Sequence, residues 1–296
     1  NHVHALDTRT GQLKWSFGTE GSVRFAPMID KGRAYFGSDD GNVYCIDASK
    51  GKLIWKHRMG PSGERIIGRS RMVSLWPVRT GVLVENGVVY AAAGVFPYEG
   101  LYIKAIDAKS GKENWVNDTA GDQPWGLQYG SMSLHGYMVA SAEILYVPAG
   151  RSMPVAFDKR TGKLKRFLSG GGKVGGSWVM MDGNELFAGN NNQGTDTKIT
   201  FDARTGSSRG DQFSRFPSID LVLTKDTAYI ATQRGIYAIN RAANSKANSA
   251  VPVLGKESTA LAKSIPAIRK RHKAAVGKPE ELKKITAELT KATTRL

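Results

Sequence analysis

The stretch VHALDTRTGQLKW, from Val3 to Trp15, carries a phrase that recurs along the chain. It returns as VYCIDASKGKLIW at residues 43–55 and as IKAIDAKSGKENW at residues 103–115, with weaker copies from Val155 and from Ile199. In every copy a glycine follows an aspartate by four residues, and in the first three a tryptophan stands four residues further on. Because such repeats indicate repeated structural units, this phrase decides the architecture.

The phrase has the features of a β-hairpin. Its first part alternates in polarity, and a period of two places neighbouring side chains on opposite faces of a strand. The aspartate can accept hydrogen bonds from the backbone that follows it, and the glycine can adopt a positive φ angle, so together they close a tight turn. Since a lone hairpin cannot bury its apolar face, neighbouring units must pack together, and the tryptophan is suited to fill the gap between them.

The spacing of the repeats predicts an all-β protein, a β-propeller of four-stranded blades. Successive repeat aspartates are 40, 60, 51 and 44 residues apart, which brackets the length of one blade with insertions. We predict about five blades plus a partial one over residues 1–240, with residues 1–16 as the partial blade. The residues after Asn240 do not have the pattern of strands, so we expect the ring to be incomplete in this chain.

The last part of the chain has a different composition. Residues 241–256 are rich in Ser, Asn, Ala and Lys and are predicted to be a linker. Residues 257–296 are predicted to form a basic, short α-helical tail, because apolar residues recur there at helical spacing, as at Leu282, Ile285 and Leu289.

The repeat pattern Ala-Ile/Leu-Asp-x-x-x-Gly-x-x-x-Trp resembles that of the pyrroloquinoline-quinone-type (quinoprotein-like) propellers over about residues 1–240. This superfamily contains quinoprotein dehydrogenases and also non-catalytic members such as the outer-membrane barrel-assembly lipoprotein. The resemblance implies a periplasmic or exported protein, although no targeting segment is recognised in the sequence. It indicates fold more than activity, because the phrase encodes blade packing in both kinds of member.

The resemblance also implies what a quinone site would contain. Quinoprotein dehydrogenases hold the cofactor with a disulfide between adjacent cysteines and with a calcium cage that includes Glu and Asn. This chain has one cysteine, Cys45, and the pattern around Asp39, Asp40 and Asp182 is that of turns. Pyrroloquinoline quinone with calcium is therefore disfavoured, and we predict no cofactor. We also predict no catalytic residue and no metal ligand, because the five histidines lack metal-ligand spacing.

The net charge of +16 is concentrated near the C-terminus, where residues 241–296 hold 13 of the 42 Lys and Arg residues. An anionic partner, a membrane surface and a merely solvated basic face all remain open for this tail. Aromatic residues are not interleaved with its basic residues, so no specific nucleic acid is expected. No apolar run is long enough to predict a transmembrane segment.

The sequence places candidate binding residues in the long loops at the end of the blades opposite the Asp-to-Gly turns. Loops on a rigid scaffold are where binding residues concentrate, and Arg with Trp can clamp and stack a small polar or anionic ligand. The same side chains could instead plug the structure and bond loop carbonyls. The candidate ligand-binding residues are Arg71, Trp76, Arg79, Trp125, Arg151, Trp178, Asn190, Asn191, Asn192 and Arg215.

Two functional hypotheses follow. The first is a non-enzymatic scaffold, or a ligand- or protein-binding module, that uses this Arg- and Trp-rich loop face. A protein partner or the remainder of a longer chain would then complete the ring. The alternative is a divergent quinoprotein-type oxidoreductase that acts on an alcohol or a sugar.

Overall fold

The computed structural model describes residues 1–68, 70–122, 132–150, 152–168, 178–192, 195–211, 213, 220–232 and 234–295. The chain divides into two compact units, Asn1–Ile219 and Asp220–Leu296.

Apart from one short parallel pair, the first unit consists of antiparallel β-sheets built from strands that are consecutive in the sequence. In chain order its strands are β1 (His2–Leu6), β2 (Leu13–Gly18), β3 (Met28–Asp30), β4 (Arg33–Gly37), β5 (Asn42–Asp47), β6 (Leu53–Arg58), β7 (Arg65–Gly68), β8 (Arg71–Ser74), β9 (Thr80–Gly81), β10 (Leu83–Glu85), β11 (Val88–Ala93), β12 (Tyr102–Asp107), β13 (Glu113–Asn117), β14 (Gly136–Tyr137), β15 (Val139–Ala140), β16 (Ile144–Ala149), β17 (Ser152–Asp158), β18 (Leu164–Phe167), β19 (Trp178–Asp182), β20 (Glu185–Asn192), β21 (Thr195–Asp202) and β22 (Ser208–Asp211).

The larger sheets confirm the predicted four-stranded blades. The first blade is the two-stranded sheet β1–β2, and the second to fifth blades are β3–β6, β10–β13, β15–β18 and β19–β22. Among the described residues no third strand pairs with β1–β2, so the first blade is partial, as expected. Two smaller pairs, the β7–β8 hairpin and the parallel pair β9–β14, lie in the connections between blades.

Each copy of the phrase forms the turn that its residues predict. In the second blade the Asp47 carboxylate accepts hydrogen bonds from the backbone N–H groups of Ser49 and Lys50 at 2.8 and 2.9 Å. The Gly51 N–H donates to the Asp47 carbonyl at 2.8 Å, and the φ angle of Gly51 is 66°, a conformation that favours glycine. The Asp-to-Gly backbone bond recurs in all five copies.

The tryptophans of the phrase link one blade to the next. The indole N–H of Trp55 donates to the Ala108 carbonyl of the third blade at 3.1 Å. Its ring lies against Gly111, where an added Cβ would come within 2.8 Å of the ring. Trp15 and Trp115 make the same contacts with the next blade along the chain. The phrase therefore joins blades as well as closing hairpins.

The fourth blade has an arginine at the position that tryptophan occupies in the first three copies. Arg166 donates from Nη2 to the carbonyls of Ala203 and Arg204 at 3.3 and 2.7 Å, and it covers Gly206. Its Nε is buried and has no hydrogen-bond partner. The fourth copy of the phrase thus keeps the link to the next blade, but through an arginine whose Nε lacks a hydrogen-bond partner.

The second unit contains three strands and two helices. The strands β23 (Asp220–Leu223), β24 (Thr227–Thr232) and β25 (Gly235–Asn240) form an antiparallel sheet, and the helices are α1 (Arg241–Ala274) and α2 (Pro279–Arg295). The side chain of Asn240 caps α1 by accepting the Ala243 N–H at 2.9 Å. Residues 241–256 are therefore helical where the composition predicted a linker.

The two helices pack against each other through the predicted apolar stripe. Ile265 and Ile268 of α1 lie with Ile285 and Ala292 of α2 in one buried cluster. The Arg271 guanidinium pairs with the Glu288 carboxylate at 2.6 Å. Within the described residues, neither helix is long and apolar enough to cross a membrane.

Candidate functional site

The loop face is the end of the blades opposite the Asp-to-Gly turns. It carries the loop between β4 and β5, residues 38–41, and the connections that lead from one blade to the next. Most of the candidate residues were placed here from the sequence, and the structure shows what several of them contact.

A buried carboxylate lies at the centre of the described part of the loop face. The Asp39 side chain is fully buried and accepts hydrogen bonds from Arg24 Nε at 2.8 Å and Arg79 Nε at 3.1 Å. Its backbone N–H donates to the Ser22 carbonyl at 2.9 Å, and its carbonyl accepts the Ser74 N–H at 2.8 Å. Asp39 therefore ties the β4–β5 loop to the connections on either side of the second blade.

The charges at Asp39 do not cancel. One buried carboxylate faces two guanidinium groups, whose side chains keep 39% (Arg24) and 29% (Arg79) of their surface exposed. The hydrogen bond to Asp39 raises the pKa of Arg24, so that arginine stays charged at any physiological pH. The three side chains of Asp39, Arg24 and Arg79 together carry a charge of +1.

Asp40, the next residue, supports a second group of contacts. Its carboxylate accepts the Tyr44 hydroxyl at 2.8 Å and the Glu20 N–H at 3.2 Å. The Glu20 side chain forms an ion pair with Arg65 at the base of β7. Burial is the main cause that raises the pKa of Tyr44, and the hydrogen bond to Asp40 raises it further. The Tyr44 hydroxyl therefore stays protonated and acts as a donor in this network.

The β7–β8 hairpin exposes apolar side chains on the loop face. Ile67 and Met72 are a cross-strand pair, and they are 80% and 52% exposed. On the other face of the hairpin Val73 is buried and anchors it to the unit. Arg71 begins β8 and is exposed beside this pair. The hairpin lies within residues 58–79, a long basic insertion between the second and third blades.

Trp76 is part of the packed interior. Its side chain is buried, and its indole N–H donates to the Glu99 carbonyl at 2.5 Å. The ring lies edge-on to Tyr102 and covers Gly60, where an added Cβ would come within 2.5 Å of it. Trp76 therefore fills space in the interior and holds the connection between the second and third blades in place.

Three connections between blades converge on the loop face. Tyr137, which leads into the fourth blade, lies edge-on to Phe25 at 5.0 Å between ring centroids. The Tyr137 hydroxyl accepts the Ala26 N–H at 3.2 Å. Its strand β14 pairs in parallel with β9, the strand that begins directly after Arg79. The segments before β3, β10 and β15 therefore form one surface next to the Asp39 site.

The structure brings some candidate residues together and separates others. Trp76 and Arg79 lie in one connection, and Arg71 lies in the hairpin that precedes it. Trp178 begins β19 opposite Gly189, and Asn190, Asn191 and Asn192 end β20. Trp125, Arg151 and Arg215 lie outside the described residues. A binding role for these ten residues remains a prediction.

The sequence missed the two residues that organise the site, Asp39 and Arg24. Asp39 lies in Ser38-Asp-Asp-Gly41, a run typical of turns, and nothing local marks its carboxylate as buried. Its partner Arg79 is 40 positions away in the sequence. The signal available in the sequence was the pair Asp39-Asp40, which follows the strand β4 and is not part of an Asp-x-x-x-Gly phrase.

The residues present do not fit the quinone site that the family resemblance implies. Cys45 is buried in the middle of β5, between Tyr35 of β4 and Trp55 of β6, and it has no neighbouring cysteine. The buried carboxylate of the loop face, Asp39, is already held by two arginines. In the described part of the chain, no three His, Cys, Asp or Glu side chains lie close enough together to hold a metal ion.

Comparison with known families decides the relationship. A family model described as outer membrane protein assembly factor BamB matches residues 1–249. The chain belongs to this family. The match covers all five copies of the repeat phrase, so the BamB family and this chain share the same blade-forming pattern.

Individual relatives are of several kinds. The chain is 33% identical over 122 residues to the outer membrane protein assembly factor BamB of Yersinia pestis, covering 39% of this chain and 28% of that protein. It is 31% identical over 126 residues to the quinohemoprotein alcohol dehydrogenase of Comamonas testosteroni, covering 38% and 16%. It is 26% identical over 200 residues to the tetrathionate hydrolase of Acidithiobacillus ferrooxidans, covering 64% and 36%. The chain thus spans little more than a third of these relatives at most.

Solved structures show the fold. BamB from Moraxella catarrhalis superimposes with a TM-score of 0.54 at 15% identity, covering 81% of this chain and 67% of that one. The Comamonas testosteroni quinohemoprotein alcohol dehydrogenase gives the same TM-score of 0.54 at 18% identity, covering 78% and 43%. The blades of this chain therefore belong to a β-propeller, as the repeat phrase predicts.

Proposed function

We propose that this chain is a non-enzymatic propeller scaffold that binds a partner protein through its loop face, as part of outer-membrane protein assembly. The observation that carries this proposal is the β7–β8 hairpin. It holds Ile67 and Met72 in solvent on a two-stranded sheet, directly beside basic residues. Large exposed apolar side chains next to charges are typical of protein-binding surfaces.

The charges around the hairpin favour an acidic partner. Arg71 is exposed beside Ile67 and Met72, and Arg24 and Arg79 keep 39% and 29% of their side-chain surface exposed on the same face. A partner segment that places apolar residues between carboxylates would bury the two apolar side chains and meet the arginines at the rim. Such complementarity mainly increases the association rate and fixes the orientation of the partner.

The hairpin also offers backbone hydrogen bonds. In the described part of the chain no third strand pairs with β7 or β8. An extended segment of the partner could therefore add a strand to the sheet, with main-chain bonds giving affinity and the side chains of Ile67 and Met72 giving specificity. We propose a periplasmic location because it fits a role in outer-membrane protein assembly, the role named by the matched family.

A photo-crosslinking experiment in the native source tests this function. A crosslinking residue at position 67 should give one dominant adduct, whose partner is identified by mass spectrometry. The same residue at Leu53, which is 50% exposed beside the Asp-to-Gly turn, is the matched control and should not give it. The double substitution Ile67→Glu and Met72→Glu should weaken binding of the purified partner at least tenfold. Equal crosslinking from both positions, or unchanged binding by the double variant, would contradict the proposal.

The oxidoreductase alternative has a separate test. Relatives with quinohemoprotein names keep it open, although the single cysteine cannot supply the adjacent pair that the quinone site requires. The full chain is incubated with pyrroloquinoline quinone and calcium, and quinone uptake and dye-linked alcohol oxidation are measured. We expect neither. Stoichiometric uptake with turnover would replace the scaffold proposal by the enzymatic one.

A further inference from the structure

Two equivalent interfaces between neighbouring blades differ at the turn end of the sheets. Between the second and third blades the interface is closed. Arg33 Nη1 donates to the carbonyls of Ala108 and Lys109 at 2.8 and 3.1 Å, and the Tyr35 hydroxyl donates to the Ala108 carbonyl at 3.3 Å. Arginine and tyrosine thus fill the space beneath Trp55.

The interface between the third and fourth blades has the same backbone register but a different filling. Val88 pairs with Asp107 as Arg33 pairs with Asp47, so Val88 occupies the position of that arginine. Its short side chain cannot reach the next blade. A cleft of about 520 Å³ lies here, lined from both blades by residues that include Val88, Tyr90, Trp115 and Lys159.

The hydroxyl of Tyr90 has no partner in this cleft. Tyr35, Tyr90 and Tyr146 hold equivalent positions in their blades. Each is the third residue of the second strand of its blade, β4, β11 and β16 respectively. Tyr35 and Tyr146 donate to Ala108 and Ala203 of the next blade. Tyr90 is 5% exposed, and within the described residues no hydrogen bond to its hydroxyl is found. Tyr90 lines the cleft, so its hydroxyl is within reach of water or of a ligand that enters there.

The fourth blade contributes a lysine where its neighbours have alanine. Lys159 follows the repeat aspartate at the position of Ala48, Ala108 and Ala203. Its ammonium group donates to the Glu85 carboxylate at 3.0 Å and to the Ser141 carbonyl at 2.6 Å. The cleft thereby gains an ion pair that is neutral overall.

We propose that this cleft between the third and fourth blades binds a small, neutral, polyhydroxylated ligand of the monosaccharide or disaccharide class. The Tyr90 hydroxyl and the amides of Asn86 and Asn114 offer both donors and acceptors at its wall. The rings of Tyr90 and Trp115 lie 6.1 Å apart and form an aromatic wall of the kind that packs on the apolar face of a sugar. The proposal does not depend on the scaffold function.

The charges of the cleft favour a neutral ligand over an ion. Glu85 is paired with Lys159, and the Asp158 carboxylate is engaged by Thr161 and Lys165. Glu143 and Arg160, of opposite sign, remain at the rim. A cavity of this volume, with few converging polar groups and an aromatic wall, fits the general pattern of small-molecule sites.

The test uses the full chain and four named probes: D-glucose, D-galactose, N-acetyl-D-glucosamine and maltose. Saturation-transfer NMR and isothermal titration detect and quantify binding. We expect at least one probe to bind, Tyr90→Phe to weaken it about tenfold through loss of one hydrogen bond, and Val88→Arg to abolish it by filling the cleft as Arg33 fills its counterpart. Tyr35→Phe is the matched control at the closed interface and should leave sugar affinity unchanged.

Several outcomes would overturn the inference. These are the absence of binding by all four sugars, binding that survives both Val88→Arg and Tyr90→Phe, or equal loss of affinity in Tyr35→Phe and Tyr90→Phe. Circular dichroism of each variant verifies that the blades remain folded. If Val88→Arg fails to fold, the comparison of Tyr90→Phe with Tyr35→Phe decides the question, because both remove one hydroxyl at equivalent positions.

Discussion

The two ends of the blades are built from different kinds of residue. At the turn end the Asp-to-Gly bond recurs in all five blades, and in the first four a tryptophan or Arg166 bonds to a carbonyl of the next blade. At the loop end Asp39, the β7–β8 hairpin and Tyr137 make contacts that are not repeated elsewhere among the residues that the structure describes. Repeated residues that make repeated contacts hold the fold together, whereas the unrepeated ones are free to serve a function. The comparison predicts that substitutions at the two ends affect different measurements.

The largest effect on stability is expected at the turn end, from Trp55→Ala. Trp55 is 9% exposed, and the substitution removes its ring from Gly111 and its bond to Ala108. We expect the free energy of unfolding to fall by about 3 kcal/mol, the cost typical of a large-to-small core substitution. Urea unfolding followed by tryptophan fluorescence and circular dichroism measures it. A loss below about 1 kcal/mol would show that the phrase does not hold adjacent blades together.

A smaller loss is expected from Asp39→Asn at the loop end. The substitution leaves Arg24 and Arg79 facing an uncharged amide. Because both arginines can turn toward water, we expect a loss of about 2 kcal/mol, less than for a fully buried pair. Asp40→Asn is the control, since its amide oxygen can still accept the Tyr44 hydroxyl. Equal losses from the two substitutions would mean that Asp39 is no more important than a turn residue.

Restoring the repeat at the fourth blade should increase stability slightly. Arg166→Trp removes a buried Nε without a partner and reinstates the aromatic contact over Gly206. The expected gain is about 1 kcal/mol, the order of one unsatisfied polar group. Arg166→Lys, which keeps the charge but not the fork, should be destabilising. A loss of stability in Arg166→Trp would show that this interface has adapted to arginine.

Acid should weaken the Asp-to-Gly turns of the later blades. Hydrogen bonds from Thr161 lower the pKa of Asp158 from 3.8 to about 2, and backbone N–H bonds from Thr205 lower that of Asp202. Since these folded-state pKa values are depressed, the stabilisation is present above pH 3.8 and is lost as the pH falls toward 2. Urea midpoints measured from pH 5 to pH 2 should decline in this window, and less steeply in Asp158→Asn. A flat profile over that range would rule out a contribution from the turn aspartates.

The repeated end of the molecule could be predicted from the sequence, and the unrepeated end could not. Asp47 and Gly51 bond to residues nearby in the sequence, and Trp55 contacts the next copy of the same phrase. The spacing of these residues is therefore enough to predict their contacts. The pairing of Asp39 with Arg79 links distant positions without any periodic pattern. The β7–β8 hairpin turns at Ser70, whose φ angle is 60°, where no Asn-Gly or Asp-Gly pair marks a turn.

The helix α1 shows a second limit of sequence reasoning. The Ser, Asn, Ala and Lys composition predicted a linker over residues 241–256, and the segment also contains Pro252 and Gly255, residues of low helix propensity. The structure has one helix there, and the Asn240 side chain caps its first turn by accepting the Ala243 N–H. Asn240 also ends the strand β25, so the strand pattern that precedes it hides the start of the helix.

The separation of stability from binding is tested most directly by the double variant Ile67→Glu and Met72→Glu. Both side chains are mostly in solvent, so the urea midpoint should remain within error of the parent protein. Binding of the crosslinked partner, measured by titration calorimetry with purified proteins, should weaken at least tenfold. Retained binding, or a loss of binding that is accompanied by a comparable loss of stability, would contradict the assignment of partner binding to the loop face.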